Sequence, residues 1–275
     1  MKRIVAGGAG VLVVGLLGGC DLMADQEFRD ERTVADRVAA ITIAGGAGSV
    51  TVSASPDGTI HVKRHVRYRD DRPGATDSVR GDTLILNTSC GRVCLVDYEV
   101  TAPRGVRVNG RNGSGDITLS GIASATLEVG SGNVQIHGAS GDVVVRTGSG
   151  DVDVADVTGD VTGRAGSGNL RLAHVTGAAT VETGSGDIDA KDLRGSRTAV
   201  HTGSGNTTLV LATAQDVDAN TGSGDVRLTV PGGQTYRVSA TSSSGDLDVR
   251  VPSDASGTHH VKVRTGSGNI TVQPS

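Results

Sequence analysis

The side chains of this 275-residue chain that could do chemistry fall into a few groups. Cys90 and Cys94 have three residues between them, a spacing that predicts a small disulfide-pinned turn in an oxidising compartment. A metal pair is the alternative reading, but no histidine or further cysteine lies close enough in sequence to complete a tetrahedral site. Serine recurs inside nine near-identical glycine clusters, so a nucleophile would have to be chosen from equivalents, and no Gly-x-Ser-x-Gly elbow occurs. His61, His65, His137, His174, His201, His259 and His260 are scattered, as solvated or corner residues are. Asp153 and Asp189 share an offset within the repeat and could serve as the two carboxylates of a glycan hydrolase, but Arg171 falls between them, as in a charge ladder. No catalytic residue is assigned.

The most regular group is the acid or amide that follows each glycine cluster: Gly115-Asp116, Gly132-Asn133, Gly150-Asp151, Gly168-Asn169, Gly186-Asp187, Gly205-Asn206, Gly224-Asp225, Gly245-Asp246 and Gly268-Asn269. Aspartate beside glycine at short spacing is also what a calcium-binding β-roll needs, in the unit Gly-Gly-x-Gly-x-Asp-x-apolar-x. The register disagrees, because Asp151 follows Gly150 directly and the position where a cage carboxylate belongs holds Val152. Four of the nine positions carry neutral Asn, too few anions for a hard cation. No metal and no cofactor is assigned. A structural role is expected instead, with Asp and Asn bonding the backbone amides of their own turn. Alternating Asp with Asn spaces carboxylates that would repel by about 1 kcal/mol or less at one strand spacing in solvent.

The elements that position these residues follow from the repeat itself. Gly-Ser-Gly-Asp/Asn corners begin at 113, 130, 148, 166, 184, 203, 222, 243 and 266, with Ser243 in place of the first glycine. The third position is always glycine, so it is expected to be left-handed or packed on its neighbour, whereas Ser243 implies negative φ at the first. A half-period of nine, visible at Gly132, Gly141, Gly150, Gly159 and Gly168, gives each coil two corners. Between corners, alternation such as Gly150-Asp151-Val152-Asp153-Val154 marks a strand with one buried face. The prediction is an all-β, single-stranded parallel β-solenoid of two-sided coils of about 18 residues. Val143, Val145, Val152 and Val154 point inward, and coils stack in sequence order about 4.8 Å apart into a rod of roughly 40 Å. Aromatics at 1% suit so thin an interior. Late coils, spaced 21 and 23 residues apart, must bulge.

Ahead of the repeat, Met-Lys-Arg, an apolar run from Ile4 to Leu17 and Leu17-Gly18-Gly19-Cys20 have the three parts of a secretory signal. The ending resembles a bacterial lipobox, in which the Cys20 thiol takes a diacylglyceryl group. The expected organisation is a lipoprotein signal peptide over 1–19, a lipidated cysteine and charged tether over 20–33, capping strands and a degenerate first coil over 34–112, and the regular solenoid over 113–275. Cleavage removes Lys2 and Arg3 from 26 basic groups set against 30 acidic ones, leaving a net charge of −6. With neither a basic stripe nor aromatic platforms, nucleic acid is excluded as a partner.

The Gly-Ser-Gly-Asp/Asn-apolar-x-apolar coils, Val226-Arg227-Leu228-Thr229-Val230-Pro231 leading to Tyr236-Arg237-Val238, and the lipobox together resemble bacterial envelope domains of unknown function labelled "putative adhesin". The resemblance spans roughly residues 35 to 274 and implies a β-solenoid surface protein, with no functional residues to carry over. The expected function is a non-enzymatic, lipid-anchored scaffold or adhesin-like module on the extracytoplasmic membrane face, meeting an envelope polymer or surface protein. The alternatives are an accessory or sensor working with a membrane protein and, third, a glycan hydrolase.

Overall fold

A computed structural model of the chain describes residues 26–275 and contains only strands, turns and connecting segments there. The lipobox, Cys20 and the first part of the tether lie outside the described residues. The strands form one sheet of 13 and a second of 12, and the chain passes from one to the other at every corner. From Ile117 to Leu211 each coil contributes one strand to each sheet, in parallel: Val134 lies beside Val152, Val152 beside Leu170 and Leu170 beside Ile188, and the register shifts once, between Ala190 beside Leu209 and Leu193 beside Leu211. The rule behind this is the period of two along each strand, which keeps inward side chains on inward side chains. The second corner absorbs differences in coil length, running from Ile122 to Ala125 in one coil, Ala139 to Val143 in the next and Leu193 to Thr198 further on. Val143, Val145, Val152, Val154, Leu170 and Ile188 are accordingly buried, and Ile122, Ala139, Val157, Val175 and Leu193 fill the second corner.

The N-terminal part is finished differently. Ala40–Ala44 and Val50–Ala54 form a first coil whose corner, Gly46-Ala47-Gly48-Ser49, is a degenerate copy of the repeat. Beyond it, Ile60–Tyr68 pairs antiparallel with Cys94–Ala102 on one side and with Gln26–Val34 on the other. Asp77–Arg80 closes the second sheet against Thr83–Leu86. The charged segment expected as a tether in which a first strand could start is edge strand throughout its described part, 26–33, held by Arg64 to Asp30 at 2.6 Å and by the Arg32–Asp77 ion pair.

At the other end the expectation of coils stacked in sequence order is corrected. His259–Ser267 and Ile270–Pro274 insert between the coil of Asp216–Ser223 with Val226–Val230 and the coil of Tyr236–Ser244 with Leu247–Val249. The chain thus lays down its outermost coil before the one beneath it, and the long corner spacings of 21 and 23 residues hold the two crossings this requires. Composition explains the order. Val261, Val263, Ile270 and Val272 make an apolar coil that can be covered on both sides, whereas the 236–249 coil turns Ala240 and Ser242 inward and is best placed at the end.

Candidate functional site

The glycine corners stack into the most ordered feature of the surface. The third glycine has positive φ in all nine corners, from +99° at Gly115 to +150° at Gly186. A Cβ there would also overlap the carbonyl of the corner beneath, as Gly168 would with Gly150. First-position glycines have no such φ, and Ser243 shares that property. They are glycine for contact, since a Cβ on Gly148 would come within 2.6 Å of the Gly130 carbonyl oxygen.

Asp and Asn do not bond their own turns as the sequence led us to expect. In every coil but the last of the stack, which holds Asp246, the side-chain oxygen accepts the backbone N–H of the equivalent residue one coil further along. Asn133 donates to Asp116 at 2.8 Å, Asp151 to Asn133 at 3.0 Å and Asn169 to Asp151 at 2.9 Å. The same pattern continues through Asp187, Asn206 and Asp225. After Asp225 the inserted coil decides the sequel: Asn269 donates to Asp225 at 2.8 Å and Asp246 to Asn269 at 2.9 Å. Asp225 and Asp246, consecutive along the chain, are separated in space by Asn269, so the coil exchange makes alternation of Asp and Asn strict. At the N-terminal end Asp116 donates to the Ser49 hydroxyl, and Ser49 donates through its backbone to Asp97. The Asp151 carboxyl is held below its ordinary value chiefly by the Asn169 backbone bond, assisted by Arg171.

The charged columns run beside this ladder. Arg171 lies between Asp153 and Asp189 in register, yet its guanidinium turns to Asp151 at 3.2 Å while Asp189 binds Lys191 at 2.9 Å. Glu128 sits between Arg111 and Arg146, bonding the former at 2.8 Å, and Arg146 adjoins Arg164. Cys90 and Cys94 are joined as a disulfide with Cα atoms 5.2 Å apart. Beside it an open depression of about 380 Å³ is lined by Arg67, Tyr68, Arg92, Val93 and Leu95.

Several features escaped sequence reasoning. Thr183, Thr202 and Thr265, directly before the corner, are buried and donate to the Gly168, Gly186 and Gly224 carbonyls at 3.0–3.2 Å. The recurring Thr-Gly-Ser-Gly was the available signal. A shorter ladder runs up the second corner, where Asp160 and Ala178 donate to the carboxylates of Asp142 and Asp160. Asp156, His174 and Asp192 hold left-handed φ of 52–57° in successive coils, and His137 and His174 flank Asp156 at 2.9 and 3.1 Å.

The arrangement nearest to a catalytic one is Thr59, whose hydroxyl lies 2.7 Å from His61 Nε2, with Glu31 at 3.8 Å from Nδ1. That hydroxyl is equally close to Asp57, whose carboxyl also accepts from Ser55 and from the Thr59 backbone. These bonds hold Asp57 far below the usual carboxylate range, so it stays an acceptor and ties Thr59 into a turn. Among the described residues no group of three or more His, Cys, Asp or Glu is placed to hold a metal ion.

Stacked two-sided coils, glycine corners and a full interior define a structural solenoid. The model of the Toastrack family, DUF4097, matches residues 35–173 and, overlapping, 122–273, and the chain belongs to that family. Among solved structures it is similar to a "putative adhesin" from Bacteroides fragilis at 14% identity, covering 91% of this chain and 97% of that one with a TM-score of 0.34. It is also similar to a "putative cell adhesion protein" from Clostridium sporogenes at 10% identity, covering 91% and 100% with a TM-score of 0.26. No curated protein matches the sequence.

Proposed function

We propose that this Toastrack protein is a non-enzymatic cell-envelope module, anchored by lipid on Cys20, that presents the outer faces of its solenoid to an envelope polymer or surface protein. The observation that carries this reading is where the repeat spends its polar groups. The corner carboxylates and amides accept backbone N–H bonds between coils, and the interior is filled by Val, Ile, Leu and Thr. What varies from coil to coil is the outward columns, and binding specificity belongs there. A screen of the purified protein against envelope polysaccharides and surface proteins tests it: saturable binding, weakened by charge reversal in the Asp153, Arg171 and Asp189 column, is expected. Silence across the screen removes the adhesive function. Release of soluble products from cell-wall material would replace it with hydrolysis. The anchor has its own test, since a labelled lipid precursor should enter the wild-type chain and not Cys20→Ala.

A further inference from the structure

The two ends of the solenoid are finished unequally. At the N-terminal end the edge strand Gln26–Val34 carries Glu27, Arg29, Asp30, Glu31 and Arg32, the charged edge with which sheet proteins prevent further pairing. The C-terminal end lacks this protection. Among the described residues Tyr236–Ser244 pairs with His259–Ser267, apart from a single bridge from Tyr236 to Ser253, and Leu247–Val249 pairs with Ile270–Pro274, so each is the last strand of its sheet. The crossing segment covers just the start of the first edge, with Asp254 donating to the Tyr236 carbonyl at 3.0 Å and Val238 to the Ser253 hydroxyl at 3.2 Å. From Ser239 to Ser244 the edge reads Ser-Ala-Thr-Ser-Ser-Ser, without a charge. Leu247 and Val249 are 50% and 40% exposed, although their counterparts Val226 and Leu228 two coils below are buried.

We propose that this end is a homotypic interface, in which a second copy of the chain meets the first end to end through its own 236–249 coil. Three observations select a second copy. The open edge has no net charge, because Ser239–Ser244 is uncharged, Asp248 pairs with Arg250, and Asp246 is matched in number by Arg237, held on the Ala255 carbonyl. This suits a self-complementary surface and disfavours a strongly charged partner. A two-fold axis through the middle of the open stretch sets it antiparallel to itself, Thr241 beside Thr241 of the second copy, so that Ser239 faces Ser243, the small Ala240 faces Ser242, and the outward N–H and C=O groups pair. Head-to-tail growth would set Leu247–Val249 against the charged strand Gln26–Val34 and Tyr236–Ser244 against Asp77–Arg80, only four residues long with a charge at each end, so association closes at two copies and forms no fibre. One coil end is smaller than a standard interface of roughly 1,600 Å², so the dimer is weak in dilute solution and favoured where the chain is concentrated. The inference does not depend on what the outer faces bind.

The test uses single-cysteine additions to the full chain. Under mild oxidation T241C is expected to give a disulfide-linked dimer and R29C, on the protected edge, none. Adding V249K to T241C should abolish that dimer while circular dichroism retains the β signal, and sedimentation of wild type should show concentration-dependent growth that V249K removes. A T241C chain that stays monomeric, or links to its own N-terminal segment or another polypeptide instead, overturns the proposal. So does R29C linking as readily as T241C.

Discussion

Asn169 keeps Asp151 and Asp187 apart, and its side chain does two things there: the oxygen accepts from Asp187, and the amide donates to Asp151 at 3.1 Å. Asn169→Asp preserves the first and replaces the second with repulsion between three successive carboxylates. Stability should fall by about 1 kcal/mol at low salt and recover much of that at 1 M salt, where screening shortens to about 3 Å, as urea midpoints would show. Asp151 itself gives a pH test. Its folded-state carboxyl is depressed, so its contribution is present above the unfolded value of about 4 and is lost as pH falls through the folded value. Asp151→Asn removes that linkage, and its stability should decline less steeply below about pH 4 than that of wild type. Glycine makes a sharper contrast. Gly168 has φ of +136° and no room for a Cβ, whereas Gly233 has φ of +73° with nothing within 4 Å. Gly168→Ala should cost more than 2 kcal/mol, and Gly233→Ala about 1 kcal/mol of backbone strain.

The coil is the unit at the next scale, and it is nearly interchangeable because each contacts only its neighbours. Removing residues 151–168 sets Asn133 beside Asn169 and Gln135 beside Arg171, with the inward valines and leucines still stacked. Removing 169–186 sets Asp151 beside Asp187 and Asp153 beside Asp189. Both deletions keep the register, yet the second should melt lower at low salt, with the gap closing as salt rises. Thermal unfolding of the two chains reads this directly. Coils of this kind were legible in the sequence because glycine at fixed spacing and alternation of period two are both local. The direction of the Asp and Asn hydrogen bonds was not, since a side chain that bonds its own turn and one that bonds the next coil demand the same residue types. The buried threonines before five of the nine corners, Thr147, Thr183, Thr202, Thr221 and Thr265, were readable as Thr-Gly-Ser-Gly but look like solvated turn residues until the neighbouring coil closes over them.

Taken whole, the molecule is a rod of 12 to 13 stacked strands per sheet, roughly 55 Å along its axis, charged at its N-terminal edge and open at the other. Its ends were the least readable parts. Antiparallel pairing of Gln26–Val34 with Ile60–Tyr68 joins segments far apart in sequence, and no local pattern marks it. The exchange of the last two coils leaves the corner motif recognisable, and the lengthened spacings of 21 and 23 residues mark an irregularity there without showing that two coils change places. One trace was visible: Asp225 followed by Asp246 breaks an alternation that holds everywhere else. The coil order can be measured with paired cysteines at corner serines, since Ser223 lies beside Ser267 and Ser267 beside Ser244. Stacking with the last coil inserted predicts that S223C/S267C and S244C/S267C form internal disulfides while S223C/S244C does not. Ready closure of S223C/S244C, with S223C/S267C remaining reduced, would contradict it.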